Sequence, residues 1–182
     1  DNVVVYGGGM IGLLLLQLAI LKGASRVALI EPVEEKRQVA EKLGACLTIN
    51  PIEQDVKKTL QEHGFEHIQV VIETCGRKNT SEEALDIVDR QGTVVLFAVS
   101  AVEAAIDLKT YQLFQKELTV KGSFCSPYDM GRAVELLNAH RIDVTTMLGG
   151  MEPLEGLAEV LSSPAKRAKG KFVILPNGTP EE

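Results

Sequence analysis

Apolar residues in this chain fall in short, dense runs separated by longer mixed stretches, and the two kinds of segment alternate with little interruption. The dense runs are β-branched and continuous, as in Val3-Val4-Val5-Tyr6, Val27-Ala28-Leu29-Ile30 and Val70-Val71-Ile72. A strand wet on one face would alternate apolar and polar positions. Continuous runs predict strands covered on both faces, as in a parallel sheet between layers of helices. The pattern predicts strands over residues 2–6, 26–31, 46–49, 68–73, 93–99 and 117–123. It predicts helices over 9–23, 33–43, 52–63, 80–89 and 109–115. Gly23 and Gly44 end helices, Pro51 separates the third strand from its helix, and Gly92 precedes the fifth strand. Right-handed crossovers then give an α/β fold, a doubly wound parallel six-stranded sheet with strand order 3-2-1-4-5-6.

After Ser123 the alternation changes. Residues 128–139 and 154–161 read as helices and 171–175 as a strand, before a tail rich in Pro and Gly. These elements have no place in the six-stranded sheet. Residues 1–124 are therefore expected to form one domain, and residues 125–182 a segment whose helices belong to a neighbouring domain. The run Ala104-Ala105-Ile106-Asp107-Leu108 reads as a further strand at the outer edge, beyond the sixth, with a covering loop as the alternative.

The first strand runs straight into Gly7-Gly8-Gly9-Met10-Ile11-Gly12, a Gly-x-Gly-x-x-Gly turn opening an apolar helix, and the second strand ends on Glu31. Each part suits a dinucleotide in a Rossmann fold. Gly7 makes the tight turn, Gly9 lets the backbone approach a pyrophosphate, and Gly12 lets the helix pack close on the strand. Amides near Met10 and Ile11, with the positive end of the helix dipole, favour the phosphates. Glu31 stands where a carboxylate accepts hydrogen bonds from the ribose hydroxyls of adenosine. It would repel a 2′-phosphate, and Pro32 and Val33 offer no cation in its place, so NAD is expected over NADP.

Composition narrows the partners. The 182 residues are 45% hydrophobic, enough for a sizeable core, and the net charge is −6. That charge argues against nucleic acid, and Lys166-Arg167-Ala168-Lys169-Gly170-Lys171 reads as a solvated loop before the last strand. Cys46, Cys75 and Cys125 are scattered and odd in number, which fits a reducing, cytoplasmic setting. The apolar stretch from Met10 to Leu21 is too short to span a bilayer, and no signal peptide is visible. His63-Gly64-Phe65-Glu66-His67 matches His-x-x-Glu-His, but Gly64 and the strand beginning at Ile68 place it in a helix-to-strand loop, where two histidines do not share a helix face. His140, near a helix end, is expected to meet free carbonyls.

At its glycine turn, at Ala40-Glu41-Lys42-Leu43-Gly44-Ala45, at Val70-Val71-Ile72-Glu73-Thr74-Cys75-Gly76 and above all at Lys116-Glu117-Leu118-Thr119-Val120-Lys121-Gly122-Ser123, the chain resembles the medium-chain, zinc-type alcohol and polyol dehydrogenases. The resemblance covers nearly the whole chain and implies the cofactor domain plus the C-terminal stretch that returns to the catalytic domain. It places Lys36 near the adenosine ribose, though a solvated helix lysine fits that position equally. It places Thr74, Cys75 and Arg77 beside adenosine, with Arg77 able to stack on adenine; Cys75 also fits a plain buried cysteine. Backbone groups at Phe97, Ala98 and Val99 and at Ser123 to Cys125 would hold the nicotinamide carboxamide. Cys125 is not read as a nucleophile, since no histidine lies close in sequence.

In this family the catalytic zinc ligands sit in a barrel-like domain that precedes the cofactor domain. No Gly-His-Glu segment and no cysteine cluster occurs here, so no catalytic and no metal-ligating residue is assigned. The resemblance implies an enzyme in which zinc polarises the oxygen of a secondary alcohol, a polyol or an amino-alcohol, and hydride passes to the nicotinamide. Zinc is expected in the full-length enzyme, not in this chain, which alone would be inactive. A homodimer joined through the edge at residues 104–108 is also implied. The other readings are a stand-alone nucleotide-binding or regulatory module, a zinc-free quinone reductase-like enzyme using NADPH, and a methyltransferase using S-adenosylmethionine.

Overall fold

The computed structural model describes residues 1–125 and 128–178, the side chains of Arg167 and Ala168 excepted. Strand and helix alternate as β1 (Asn2–Tyr6), α1 (Met10–Leu21), β2 (Arg26–Ile30), α2 (Glu34–Lys42), β3 (Leu47–Ile49), α3 (Val56–Glu62), β4 (Val70–Glu73), α4 (Lys78–Ile87), β5 (Thr93–Leu96), α5 (Thr110–Lys116) and β6 (Thr119–Gly122). All six strands are parallel, in the order β3-β2-β1-β4-β5-β6 expected from the sequence.

Because successive side chains leave a strand on opposite faces, β1 feeds two cores. Val3 and Val5 join Leu13, Leu16, Leu29 and Ala40 under α1 and α2. Val4 and Tyr6 join Ile30, Ile49, Val56, Leu60, Ala84 and Leu85 under α3 and α4. Tyr6 is the bulkiest residue of this second core; burial first, then the Glu83 carboxylate, holds its phenol above the ordinary range. In α1, Gln17 is polar yet buried, and its amide is used at both ends: Nε2 donates to the Asp143 carbonyl (2.9 Å), and Oε1 accepts from the Asp143 N–H (2.7 Å). Met147 enters the core beneath α1 close by. The C-terminal segment thus packs back onto the helix that follows the glycine turn.

That segment contains α6 (Met130–Asn138), β7 (Leu148–Pro153), α7 (Leu157–Ser162), α8 (Pro164–Ala168) and β8 (Lys171–Leu175), with β7 and β8 paired in parallel as a separate two-stranded sheet. β7 escapes sequence reading because Leu-Gly-Gly-Met-Glu-Pro has no β-branched residue. Its glycines accept the Phe172 ring instead, since a Cβ on Gly149 would lie 2.7 Å from that ring. The basic stretch expected as a loop begins within α8. Ser163 caps this helix, and Lys166 bridges Glu152 (2.7 Å) and Glu159 (3.2 Å). His140 meets the end of α6 through its backbone: at φ +50° its N–H donates to the Leu137 carbonyl.

Two further expectations need correction. Residues 104–108 form no strand beyond β6; they have no regular secondary structure and lie against α4. There the Asp107 N–H donates to Glu82 (2.7 Å), Lys78 pairs with the Asp107 carboxylate (3.0 Å), and Ile106 packs against the core. A strand needs a neighbour to satisfy its ladder; here Glu82 of α4 takes the Asp107 N–H and the Ala101 carbonyl takes that of Ala104. The last strand of the sheet is also not covered on both faces: all four residues of β6 are exposed, and α5 and α6 bury none of theirs.

Candidate functional site

The strands end together at one edge of the sheet, and the loops leaving β1, β2, β4 and β5 meet there. At the first of these, Gly7 adopts φ +99°, a left-handed conformation that side chains rarely accept. A Cβ on Gly12 would fall 1.9 Å from the Gly7 carbonyl oxygen, so α1 lies directly on the turn. Gly9 is the opposite case: a Cβ there meets nothing within 4 Å, leaving an open floor for a ligand. Met10 and Ile11 are exposed beside it. α1 starts at Gly9 with no side-chain cap and no acid in its first turn. Its first N–H groups and dipole are therefore directed at whatever anion occupies the floor.

Glu31 leaves β2 beside this turn and is 6% exposed. Its Oε2 accepts from the Gly8 N–H (2.7 Å) and its Oε1 from the Val33 N–H (3.0 Å). Each carboxylate oxygen keeps lone pairs free for a further donor. Arg37, six residues on, folds back to donate from Nη1 to the carbonyls of Glu31 (2.9 Å) and Pro32 (2.7 Å), fixing the turn that aims the carboxylate. Lys36 stands half-exposed on the first turn of α2.

The loop after β4 covers the glycine turn from the other side. Thr74 Oγ1 donates to the Tyr6 carbonyl (2.6 Å), and a Cβ on Gly7 would meet Thr74 Oγ1 at 2.6 Å and Cys75 Sγ at 3.1 Å. Cys75 is exposed, not the buried cysteine that was one of its two readings. Partial desolvation, then the Glu73 and Glu31 carboxylates, pushes its thiol up to about 11, away from thiolate chemistry. Arg77 is exposed at the N-cap of α4.

β5 stops at Leu96, earlier than expected, so Phe97, Ala98 and Val99 lie in the loop over the edge. A Cβ on Gly76 would meet Val99 O at 3.0 Å and Ala98 Cβ at 3.2 Å, so this loop touches the one after β4. The Ser123 N–H donates to the Leu96 carbonyl (3.2 Å), which sets Ser123 at the same edge, and Cys125 lies exposed two residues on. The structure thus brings Gly7, Gly9, Gly12, Glu31, Thr74, Cys75, Phe97, Ala98 and Val99 together at one edge of the sheet, with Ser123 adjoining, while Lys36 and Arg77 stand at the starts of α2 and α4. Sequence reasoning missed Gly8, Arg37, Glu73 and Thr80. A signal for Glu73 was present: a carboxylate closing a strand of otherwise apolar, covered residues must find buried donors.

His63 and His67 have separate partners. His63, the C-cap of α3, places Nδ1 against the Thr59 carbonyl (2.8 Å), and His67 places its own against Asp89 (2.9 Å). Among the described residues no group of three or more His, Cys, Asp or Glu side chains could hold a metal ion. No helix among them is long and apolar enough to cross a membrane.

Comparison with known proteins points the same way as the geometry. The family model for zinc-binding dehydrogenases matches residues 10–139. Galactitol 1-phosphate 5-dehydrogenase of Escherichia coli K12 is 29% identical over 186 aligned positions, covering 96% of this chain and 53% of that protein. L-threonine 3-dehydrogenase of Pyrococcus furiosus is 34% identical over 122, covering 66% of this chain and 35% of that one. A protein of Sinorhizobium meliloti 1021, described as a zinc-binding dehydrogenase and crystallised with NADP, superimposes with a TM-score of 0.91 at 32% identity, over 97% of this chain and 52% of its own. The chain spans about half the length of the first curated relatives it matches. With the glycine turn, the six-stranded order and the family match in agreement along most of its length, this chain belongs to the zinc-binding dehydrogenase family and is similar to the cofactor-binding part of its relatives.

Proposed function

We propose that this chain is the NAD-binding part of a medium-chain dehydrogenase that transfers a hydride between a secondary alcohol or polyol and a nicotinamide cofactor. One observation carries this reading: an uncapped helix N-terminus on an open glycine floor, with the Glu31 carboxylate locked beside it by the Gly8 N–H. Gly9, Met10 and Ile11 receive the pyrophosphate, Glu31 takes the adenosine ribose, and Lys36 and Arg77 flank the adenosine. Thr74 and Cys75 form the wall, and the backbone of Phe97, Ala98, Val99, Ser123 and Cys125 faces the nicotinamide end. When bound, the nicotinamide supplies the hydride chemistry. The protein's part is to orient the ring and to exclude water from it. Names of relatives, which include dehydrogenases of galactitol 1-phosphate, D-arabinitol and L-threonine, favour a small polyhydroxylated or amino-alcohol substrate.

In this reading residues 1–124 are the dinucleotide domain, residues 125–182 extend towards a neighbouring catalytic domain, and zinc is held outside this chain. Three free cysteines suit a cytoplasmic setting. Calorimetry of the chain with NADH is expected to give one site, and elemental analysis less than stoichiometric zinc. Absence of dinucleotide binding would sink the reading. One equivalent of zinc that disappears on mutating His63 or His67 would show that the metal belongs here.

The proposal extends to a homodimer, through β6 itself. Thr119 and Ser123 donate their N–H groups inward to the carbonyls of Gly92 and Leu96, so by strand alternation the N–H groups of Val120 and Gly122 face outward from an uncovered edge. Phe114 and Tyr111 of α5 stand exposed next to it. Light scattering is expected to find a dimer, and Val120→Pro, which removes an outward amide and leaves the β5 ladder alone, to give a folded monomer. A monomeric wild type, or a dimeric Val120→Pro, refutes pairing at this edge.

A further inference from the structure

Glu73 is 1% exposed at the carboxyl end of β4, in the middle of the sheet, and it makes no ion pair among the described residues. A buried carboxylate of this kind is costly unless donors surround it, and for stability alone an apolar residue would serve as well or better. Its donors come from one place. Oε1 accepts from the Cys75 N–H (2.7 Å), the Gly76 N–H (3.0 Å) and the Thr80 hydroxyl (2.8 Å), and Oε2 accepts a second contact from the Gly76 N–H (3.1 Å). Thr80 lies in the first turn of α4. The backbone carbonyl of the same residue accepts from the N–H groups of Phe97 (2.9 Å) and Ala98 (3.2 Å). One residue therefore gathers the loop after β4, the start of α4 and the loop after β5.

The geometry points to Glu73 as a positioning residue for dinucleotide binding, acting through the loop at residues 74–77; the inference rests on the cofactor reading above. That loop forms the wall over the glycine turn, with Thr74 Oγ1 and Cys75 Sγ at the positions a Cβ on Gly7 would reach. Gly76 sits at φ +69° against Val99, so the height of the wall also sets where the β5 loop rests. A carboxylate can only accept, which suits three converging donors. A glutamine with its oxygen at the Oε1 position still accepts from all three, but its N–H₂ then takes the Oε2 position, 3.1 Å from the Gly76 N–H, so that two donors face each other there. The loop would then lift from Gly7 while the hydrophobic cores stay as they are.

The test measures NADH and ADP-ribose affinity at 25 °C in the wild-type chain, Glu73→Gln, Glu73→Asp and Thr80→Val, with circular dichroism to check folding. Glu73→Gln is expected to weaken both ligands by about tenfold and by the same factor, because the loop meets the ADP half they share. Glu73→Asp, which keeps the charge, is expected to recover part of that loss, and Thr80→Val to cost about threefold. A folded Glu73→Gln with wild-type affinity overturns the inference, as does a loss confined to NADH, or a Glu73→Asp no better than the glutamine variant. Should Glu73→Gln fail to fold, Thr80→Val decides, and wild-type affinity in that variant overturns the inference. A wild type that binds neither ligand removes the cofactor reading itself, and this inference with it.

Discussion

Gly12→Ala is expected to weaken dinucleotide binding by about a hundredfold and to destabilise the fold, while Gly9→Ala leaves the fold intact and impairs binding alone. The two glycines lie three residues apart in one turn but meet opposite surroundings. At Gly12 the added methyl would stand 1.9 Å from the Gly7 carbonyl oxygen and 3.0 Å from its carbon. Both are backbone atoms, so no rotamer change relieves the clash. Either α1 must move off the sheet or the turn must open, at a cost of about 1–3 kcal/mol or more. The N–H groups directed at the pyrophosphate move with it, and a loss of about a hundredfold in affinity follows. At Gly9 the backbone is already extended (φ −73°, ψ 174°) and the methyl meets nothing within 4 Å. Stability should stay within about 0.5 kcal/mol of wild type. The methyl occupies the floor the phosphates need, and affinity should fall by about tenfold. Urea unfolding and NADH titration of both variants separate the two effects. Unchanged affinity in Gly9→Ala would place the phosphates elsewhere, and a wild-type unfolding midpoint in Gly12→Ala would contradict the close packing.

NAD is expected to bind about ten- to a hundredfold more tightly than NADP, and Glu31→Ala to remove most of that preference. Glu31 is locked in place by Gly8 and Val33, so it cannot swing away from a 2′-phosphate, and repulsion of about 1–3 kcal/mol gives that ratio. Arg37 is the nearest candidate to neutralise a phosphate, but its Nη1 is spent on two carbonyls and its Nη2 leans toward Glu34 (3.4 Å). Equal wild-type affinities for the two dinucleotides in the calorimeter would refute the preference. A Glu31→Ala variant that kept the ratio would show that another group discriminates.

The parts of the site that lie within one βαβ unit were legible in the sequence. Gly7, Gly9, Gly12 and Glu31 hold fixed offsets because a strand, a tight turn and a helix have fixed rises, so their meeting is nearly a local matter. The partners that lock them were not legible. Gly8 acts through its own N–H and the Arg37 guanidinium through the carbonyls of Glu31 and Pro32, backbone groups that no residue-type pattern marks, and Glu73 acts through a loop whose importance depends on the neighbouring strand. The outer strand expected at residues 104–108 failed for a related reason. An apolar run of that length fits a strand or a covering loop equally, and the side chains of α4, far off in sequence, decided between them.

The sequence by itself determined the strand and helix alternation, the six-stranded parallel order and the glycine turn. Those follow from periodicity, from the handedness of crossovers and from backbone sterics, all of which act over short stretches of chain. Only the tertiary structure decided that β7 pairs with β8, that Gln17 ties the C-terminal segment to α1, and that β6, α5 and α6 are left uncovered. Pairing of a glycine-rich strand, satisfaction of a buried amide and exposure of a face are properties of what lies opposite in space. The physical reason is that desolvation is settled by distant segments arriving together, and local sequence carries no record of that arrival.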